Sequence, residues 1–101
     1  KMLKLPDGSK VRVVHVRKYD NQFNLLGKGG YTYCVWERDK DFVVSAARCS
    51  DKDNFCRKTG RELAFTRMQM LYNDEPNLKE HFYKIIPKTL TFSDVRNGLS
   101  Y

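Results

Sequence analysis

Arg57, Arg61 and Phe65 recur at four-residue intervals in C-R-K-T-G-R-E-L-A-F-T-R-M, residues 56–68, with Lys58 beside them. At helical pitch these positions form one row. Two forked guanidinium groups can each hold a phosphate through paired hydrogen bonds, and an aromatic ring offers a face on which a base stacks, so the row suits a nucleotide. The same spacing fits a solvated helix face, with Asp53 and Glu62 as ion-pair neighbours of Arg57 worth only tenths of a kcal/mol each. Spacing alone leaves both readings open.

Other chemistry has little to work with. Cys34, Cys49 and Cys56 are odd in number and lack C-x-x-C spacing, which argues against a disulfide framework, a zinc site or a redox pair. His15 and His81 are the only imidazoles and neither has a second ligand at helical or hairpin spacing, so no metal or other cofactor is expected. Cys56 with His81 is the one nucleophile and base to weigh, but Cys56 falls on the predicted core stripe of its helix, where a cysteine is a small buried hydrophobe. No pair of carboxylates is placed for acid–base work. The expectation is a binding protein and not an enzyme. G-K-G-G at 27–30 lacks the phosphate-loop pattern and leads into a strand, which reads as a flexible hairpin loop. K-G-G-Y-T-Y-C-V-W echoes an RNA-recognition strand, but that fold needs a helix between its first two strands, and residues 19–30 carry no helical pattern.

The chain has 101 residues and a formal charge of +7, enough for one modest core in one domain, residues 1–101, whose field concentrates anions around it. Its lysines and arginines are scattered among acids with no block of like charge, which favours a compact site over a nucleic-acid-binding arm. No apolar run reaches the roughly 18 residues of a membrane span, and K-M-L-K-L-P-D-G-S-K is not a signal peptide, so a soluble, intracellular protein with reduced cysteines is expected.

The elements that must position the row are β-rich. K-M-L-K-L and K-V-R-V-V-H-V-R-K-Y flank a Pro-Asp-Gly turn signal and read as a hairpin; Y-T-Y-C-V-W-E-R and F-V-V-S-A-A-R-C, joined by the polar R-D-K-D, read as two further strands. Ser50 and Asp53 resemble a capping box, which starts the helix there, and Cys56, Gly60, Leu63, Ala64 and Leu71 form its core stripe up to N-D-E-P-N at 73–77. Gly60 in mid-helix implies close approach to the sheet or to a ligand. H-F-Y-K-I-I-P fits either a last strand or the end of a helix opened by Pro76, with its aromatic and β-branched residues favouring the strand, and T-F-S-D-V-R-N-G-L-S-Y reads as a docked helical turn. The predicted architecture is α+β: an antiparallel meander packed against one principal helix, with a C-terminal strand and a short helical turn. Tyr31, Tyr33, Trp36 and Phe42 crowd two neighbouring strands, and alternation puts some of them on an outer face, which predicts a homo-oligomer.

The run V-S-A-A-R-C-S-D-K-D-N-F-C-R-K-T-G-R-E-L-A-F-T-R-M resembles small phage proteins in which a strand ending in Arg/Lys-Cys-Ser leads through Asp-x-Phe-x-Arg-Lys-x-Gly-Arg into a helix with a second arginine. V-V-H-V-R-K-Y-D and G-K-G-G-Y-T-Y upstream look like the opening of such proteins. Over about residues 11–70 the chain is similar to the phage anti-Thoeris sponges, which bind cyclic ADP-ribose signals and keep them from host defence effectors. The resemblance implies a homo-oligomer in the host cell cytoplasm that binds a cyclic nucleotide without hydrolysing it. It places Arg57 and Arg61 on phosphates and Phe82 on a base, with Arg96 or Asn97 completing the site from the same or a neighbouring subunit. The family's second helical motif reads Ala-x-Gly-Arg, whereas Ala64-Phe65-Thr66-Arg67 stands here, so larger side chains fill space that the family leaves small. The alternative is a phage inhibitor that meets a host defence protein, or nucleic acid, through the same basic face.

Overall fold

Turn formers cut the chain into short β-prone runs, and these fold side by side in chain order. In the computed structural model, which describes residues 2–74 and 82–88, β1 (Met2–Lys4), β2 (Lys10–Val16), β3 (Lys28–Glu37), β4 (Asp41–Asn54) and β5 (Tyr83–Pro87) form one antiparallel sheet in the order 1-2-3-4-5. The helix α1 (Arg57–Tyr72) follows β4 and packs on β3 and β4. This is the expected α+β meander with one principal helix. No helix among the described residues is long and apolar enough to cross a membrane.

Side chains two residues apart share a face of a strand. On the helix side, Leu5, Val11, Cys34, Val43 and Ala47 meet Ala64 and Met68 of α1, with Phe65, Leu71 and Trp36 at the margin. Burial there pushes the Cys34 thiol up to about 12, so it stays protonated. Ser45, fully buried on the same face, donates its hydroxyl to the Ala64 carbonyl at 2.6 Å. The opposite face buries Val14, Tyr33, Val35, Phe42, Val44 and Ala46.

Arg67 fastens the other flank of the helix. Its Nη1 donates to the Ala46 carbonyl at 2.6 Å, one residue past the last β4 position paired with β5, and its guanidinium lies 3.7 Å from the Phe82 ring centroid. Replacing Arg67 by methionine keeps the stem but strips a carbonyl of its charged donor, so stability should fall by about 1.5–3 kcal/mol. Urea unfolding of the variant checks this, and a loss below about 0.5 kcal/mol would show that the bond contributes nothing.

Four expectations need correction. Ser50 and Asp53 do not cap the helix: β4 runs on to Asn54, the register jumps from Gly30 opposite Cys49 to Lys28 opposite Asn54, and the Ser50 hydroxyl accepts the Lys52 N–H at 3.2 Å inside the resulting bulge. Cys56 is exposed at the N-cap, and Ala64 and Met68 carry the buried stripe while Leu63 is exposed. Lys28, Gly29 and Gly30 belong to β3 and not to a flexible loop. Tyr31, Tyr33 and Phe42 do lie on the sheet face opposite the helix, as alternation predicts, but Tyr33 and Phe42 are buried there and Tyr31 stacks on Tyr33, while Trp36 tilts against Tyr72 of the helix, so the four do not form an exposed aromatic face. The predicted C-terminal turn lies outside the described residues.

Candidate anion-binding site

Two glycines seat the site. Gly60 has no Cβ because one there would overlap the Thr32 hydroxyl and lie 3.0 Å from Thr32 Cβ, so α1 rests directly on β3. Gly30, at φ +111°, leaves the space above β3 in which the Phe55 ring lies, 3.0 Å from where a Cβ would stand. The chain passes from β4 over β3 through Phe55 and enters α1, which sets the first helical turn against the end of β2.

His15 and Arg17 both lie on the helix-facing side of the β2 line. His15 Nδ1 and Thr32 Oγ1 are 2.8 Å apart, and the His15 ring stands edge-on to Phe55 with centroids 5.6 Å apart. The Arg17 guanidinium lies 4.5 Å from the Phe55 centroid. Burial first, then the charges of Arg57 and Arg61, and more weakly that of Arg17, hold the His15 pKa below its ordinary value of 6.5. The charges of Arg57, Arg61 and Arg17 thus all act on His15.

The acids expected as partners on a solvated face, Asp53 and Glu62, are nearby but do not pair with the row. Neither Asp53 nor Glu62 pairs with Arg57, and none of Arg17, Arg57 and Arg61 makes an ion pair among the described residues. Arg17 Nη2 donates to the Leu26 carbonyl at 3.2 Å, but its Nε is buried without a hydrogen-bond partner. The first turn of α1 holds no acidic residue, and Cys56 gives it no side-chain cap. Its leading N–H groups add positive potential to the same place. The Thr59 hydroxyl, 3.3 Å from the Cys56 sulfur, is the main influence drawing that thiol below its usual range.

A cavity of about 320 Å³ opens between α1 and the bulged end of β4, lined by Thr32, Arg48, Asp53, Phe55, Thr59 and Gly60 among others, with His15, Arg17, Arg57 and Arg61 outside its lining. In the groove of about 430 Å³ near the β3–β4 turn, two of the four lining cations are matched: Arg38 binds Asp41 through two 2.6 Å bonds, and Lys88 lies 2.7 Å from Glu37.

Arg57 and Arg61 lie one turn apart on α1, Arg57 exposed and Arg61 half-buried. Phe65 leaves the row and packs against the core, and Phe55 supplies the aromatic surface instead. Phe82 is not beside the arginines. It stacks on Arg67, which stands about 120° around the helix from Arg61 and about 9 Å further along it. Arg96, Asn97 and His81 lie outside the described residues. Sequence reasoning missed Arg17 and Phe55 and gave His15 an ordinary strand role; the available signal was the two-residue spacing of His15 and Arg17, which puts them on one face. Among the described residues no group of three His, Cys, Asp or Glu side chains could hold a metal. No protein-family model matches this chain, and no curated protein or solved structure matches it.

Proposed function

We propose that the protein binds a small phosphate-bearing nucleotide at the start of α1 and holds it without chemical change. The observation that carries this reading is that Arg57, Arg61 and Arg17, whose charges all act on His15, have no ion-pair partner among the described residues. Like charges gathered without paired acids are costly in the free protein, and an anion relieves them. Phosphates would take the forked guanidiniums and the leading amides of the helix, while the sugar or base would occupy the adjoining cavity beside Phe55. Arginine cannot act as a base at neutral pH, which supports capture over catalysis. The resemblance to anti-Thoeris sponges supplies the specific form of the proposal: the ligand is a cyclic ADP-ribose signal, sequestered by a phage protein in its host.

Calorimetric titration with cyclic ADP-ribose isomers, a linear dinucleotide and random duplex DNA tests the reading. Tight binding of a cyclic isomer with a shallow salt dependence, and recovery of the intact signal after heat denaturation, are the expected results. Affinity confined to DNA, falling with a log–log salt slope steeper than about −5, would overturn it, as would release of a cleaved product.

His15 gives a second expectation, with opposite signs for stability and binding. Its folded-state pKa lies below 6.5, so the unfolded chain binds the proton more readily. The His15 contribution is intact above pH 6.5 and is lost as pH falls through that value toward the depressed one. A bound phosphate favours the imidazolium, so affinity should rise over the same interval. Thermal melts and titrations between about pH 7.5 and 5.5 measure both trends, and His15→Asn should flatten both. Parallel changes in stability and affinity would remove His15 from the site.

A further inference from the structure

Cys49 and Cys56 lack redox spacing in the sequence, but the fold sets both against one space. Cys49 stands opposite Gly30 and Asn54 opposite Lys28, so the residues between them bulge out of the sheet and the chain returns to β3 just before α1. The Cys49 sulfur lies inside that bulge, 3.4 Å from the Asp53 carbonyl oxygen and 3.6 Å from those of Ser50 and Asn54, and its half-buried thiol can donate to any of them. Asn54 is only two residues before Cys56, at most about 7 Å of extended chain. Both cysteines line the cavity of about 320 Å³ between α1 and β4.

The two thiols have different surroundings. Cys56 is exposed at the N-cap of α1, and the Thr59 hydroxyl donates to its sulfur at 3.3 Å, the main influence drawing this thiol below its usual range. The thiolate is the attacking form of cysteine, and the start of a helix favours it. Cys49, half-buried among carbonyl oxygens, is less open to an oxidant from solvent but close enough to meet an oxidised neighbour. Cys34 is buried in the core, its thiol pushed up to about 12, and takes no part.

We propose that Cys49 and Cys56 are a peroxide-reactive thiol pair that closes to an intramolecular disulfide. The Cys56 thiolate attacks hydrogen peroxide: an S–O bond forms, the O–O bond breaks, and the departing hydroxide takes up the proton that the thiol released, leaving as water. The Cys56 sulfur, oxidised by two electrons, is then a sulfenic acid. The Cys49 sulfur attacks it, the S–S bond forms as the S–O bond breaks, and the Cys49 proton leaves with the hydroxyl as a second water. Two thiols are oxidised and one peroxide is reduced. The bond holds the two Cα atoms within about 7 Å, which pins the N-cap of α1 to β4 across the cavity that both cysteines line. This chemistry is independent of anion binding.

Treating the reduced chain with a small excess of hydrogen peroxide, alkylating the remaining thiols in denaturant and mapping the tryptic peptides tests it. Cleavage after Arg48, Lys52 and Arg57 puts Cys49 and Cys56 on separate peptides, which stay joined only through the bond. The expected product is a single chain lighter by two hydrogens in which only Cys34 is alkylated, and dithiothreitol restores the starting mass. Cys56→Ser should slow peroxide consumption by at least about tenfold, whereas Cys49→Ser should react at the wild-type rate and stop at a Cys56 sulfenic acid that dimedone traps. Wild-type thiols that survive peroxide unchanged, or a wild-type bridge between chains or to Cys34, would overturn the proposal. A Cys56→Ser protein oxidised as fast as the wild type would overturn it equally, as would a wild-type Cys56 that runs on to sulfinic acid with Cys49 still reduced.

Discussion

Replacing Gly60 by alanine is expected to destabilise the protein by about 2–3 kcal/mol, although alanine is the better helix former by about 1 kcal/mol. Propensity loses because the new Cβ would overlap the Thr32 hydroxyl and stand 3.0 Å from Thr32 Cβ. Thr32 cannot step aside. It is buried in the middle of β3, paired with Ala47 on one side and His15 on the other. The helix must lift, which loosens Ala64 and Met68 from the core and moves Arg57 and Arg61 away from His15. The melting temperature should fall by roughly 10 °C or more for a domain of this size. Thr32→Ala in the same chain removes the worst of the overlap, so the double variant should regain part of the loss, and the coupling can be read from the four-variant cycle. A Gly60→Ala protein that melts with the wild type would show that close seating of Gly60 on Thr32 does not hold α1 to the sheet.

The fold was legible in the sequence where one local signal acted alone. Alternation in K-V-R-V-V-H-V and the continuous β-prone run F-V-V-S-A-A-R-C, with Pro-Asp-Gly and R-D-K-D between strands, marked the meander, and β5 at Tyr83–Pro87 decides for the strand over a helix end there. Legibility failed where two signals competed. Ser50 and Asp53 carry cap chemistry, yet the same hydroxyl can close a turn inside a bulged strand, and pairing of Asn54 with Lys28 decides for the strand. Cys56 and Phe65 both have spacing that fits either face of a helix, and only the seat of Gly60 on Thr32 fixes the rotation that exposes one and half-buries the other. Half of the basic cluster was legible for the same reason. Arg57 and Arg61 are neighbours through helical pitch, a local property, whereas their approach to His15 and Arg17 depends on how α1 lies across the sheet.

Converting Arg57 and Arg61 together to alanine is expected to weaken nucleotide binding by at least about a hundredfold while changing stability by no more than about 0.5 kcal/mol. Hydrogen bonds to a charged group are worth about 1.5–3 kcal/mol each, so two lost guanidiniums cost several kcal/mol of binding, and each 1.4 kcal/mol is tenfold. The free protein loses little, because neither arginine makes an ion pair among the described residues and both depress the His15 pKa. Their removal relaxes that repulsion and should bring the His15 pKa back toward 6.5, which an NMR titration of the imidazole can follow without any ligand. Lys10→Ala, at an exposed position on the far end of β2, serves as the control that removes the same kind of charge away from the site. If the double variant and the control lose affinity equally, the effect is the diffuse field of a +7 chain and not a site. If the double variant alone loses it, while Arg57→Lys and Arg61→Lys each recover only part, then forked hydrogen bonding and not charge holds the ligand, as geometry at the start of α1 requires.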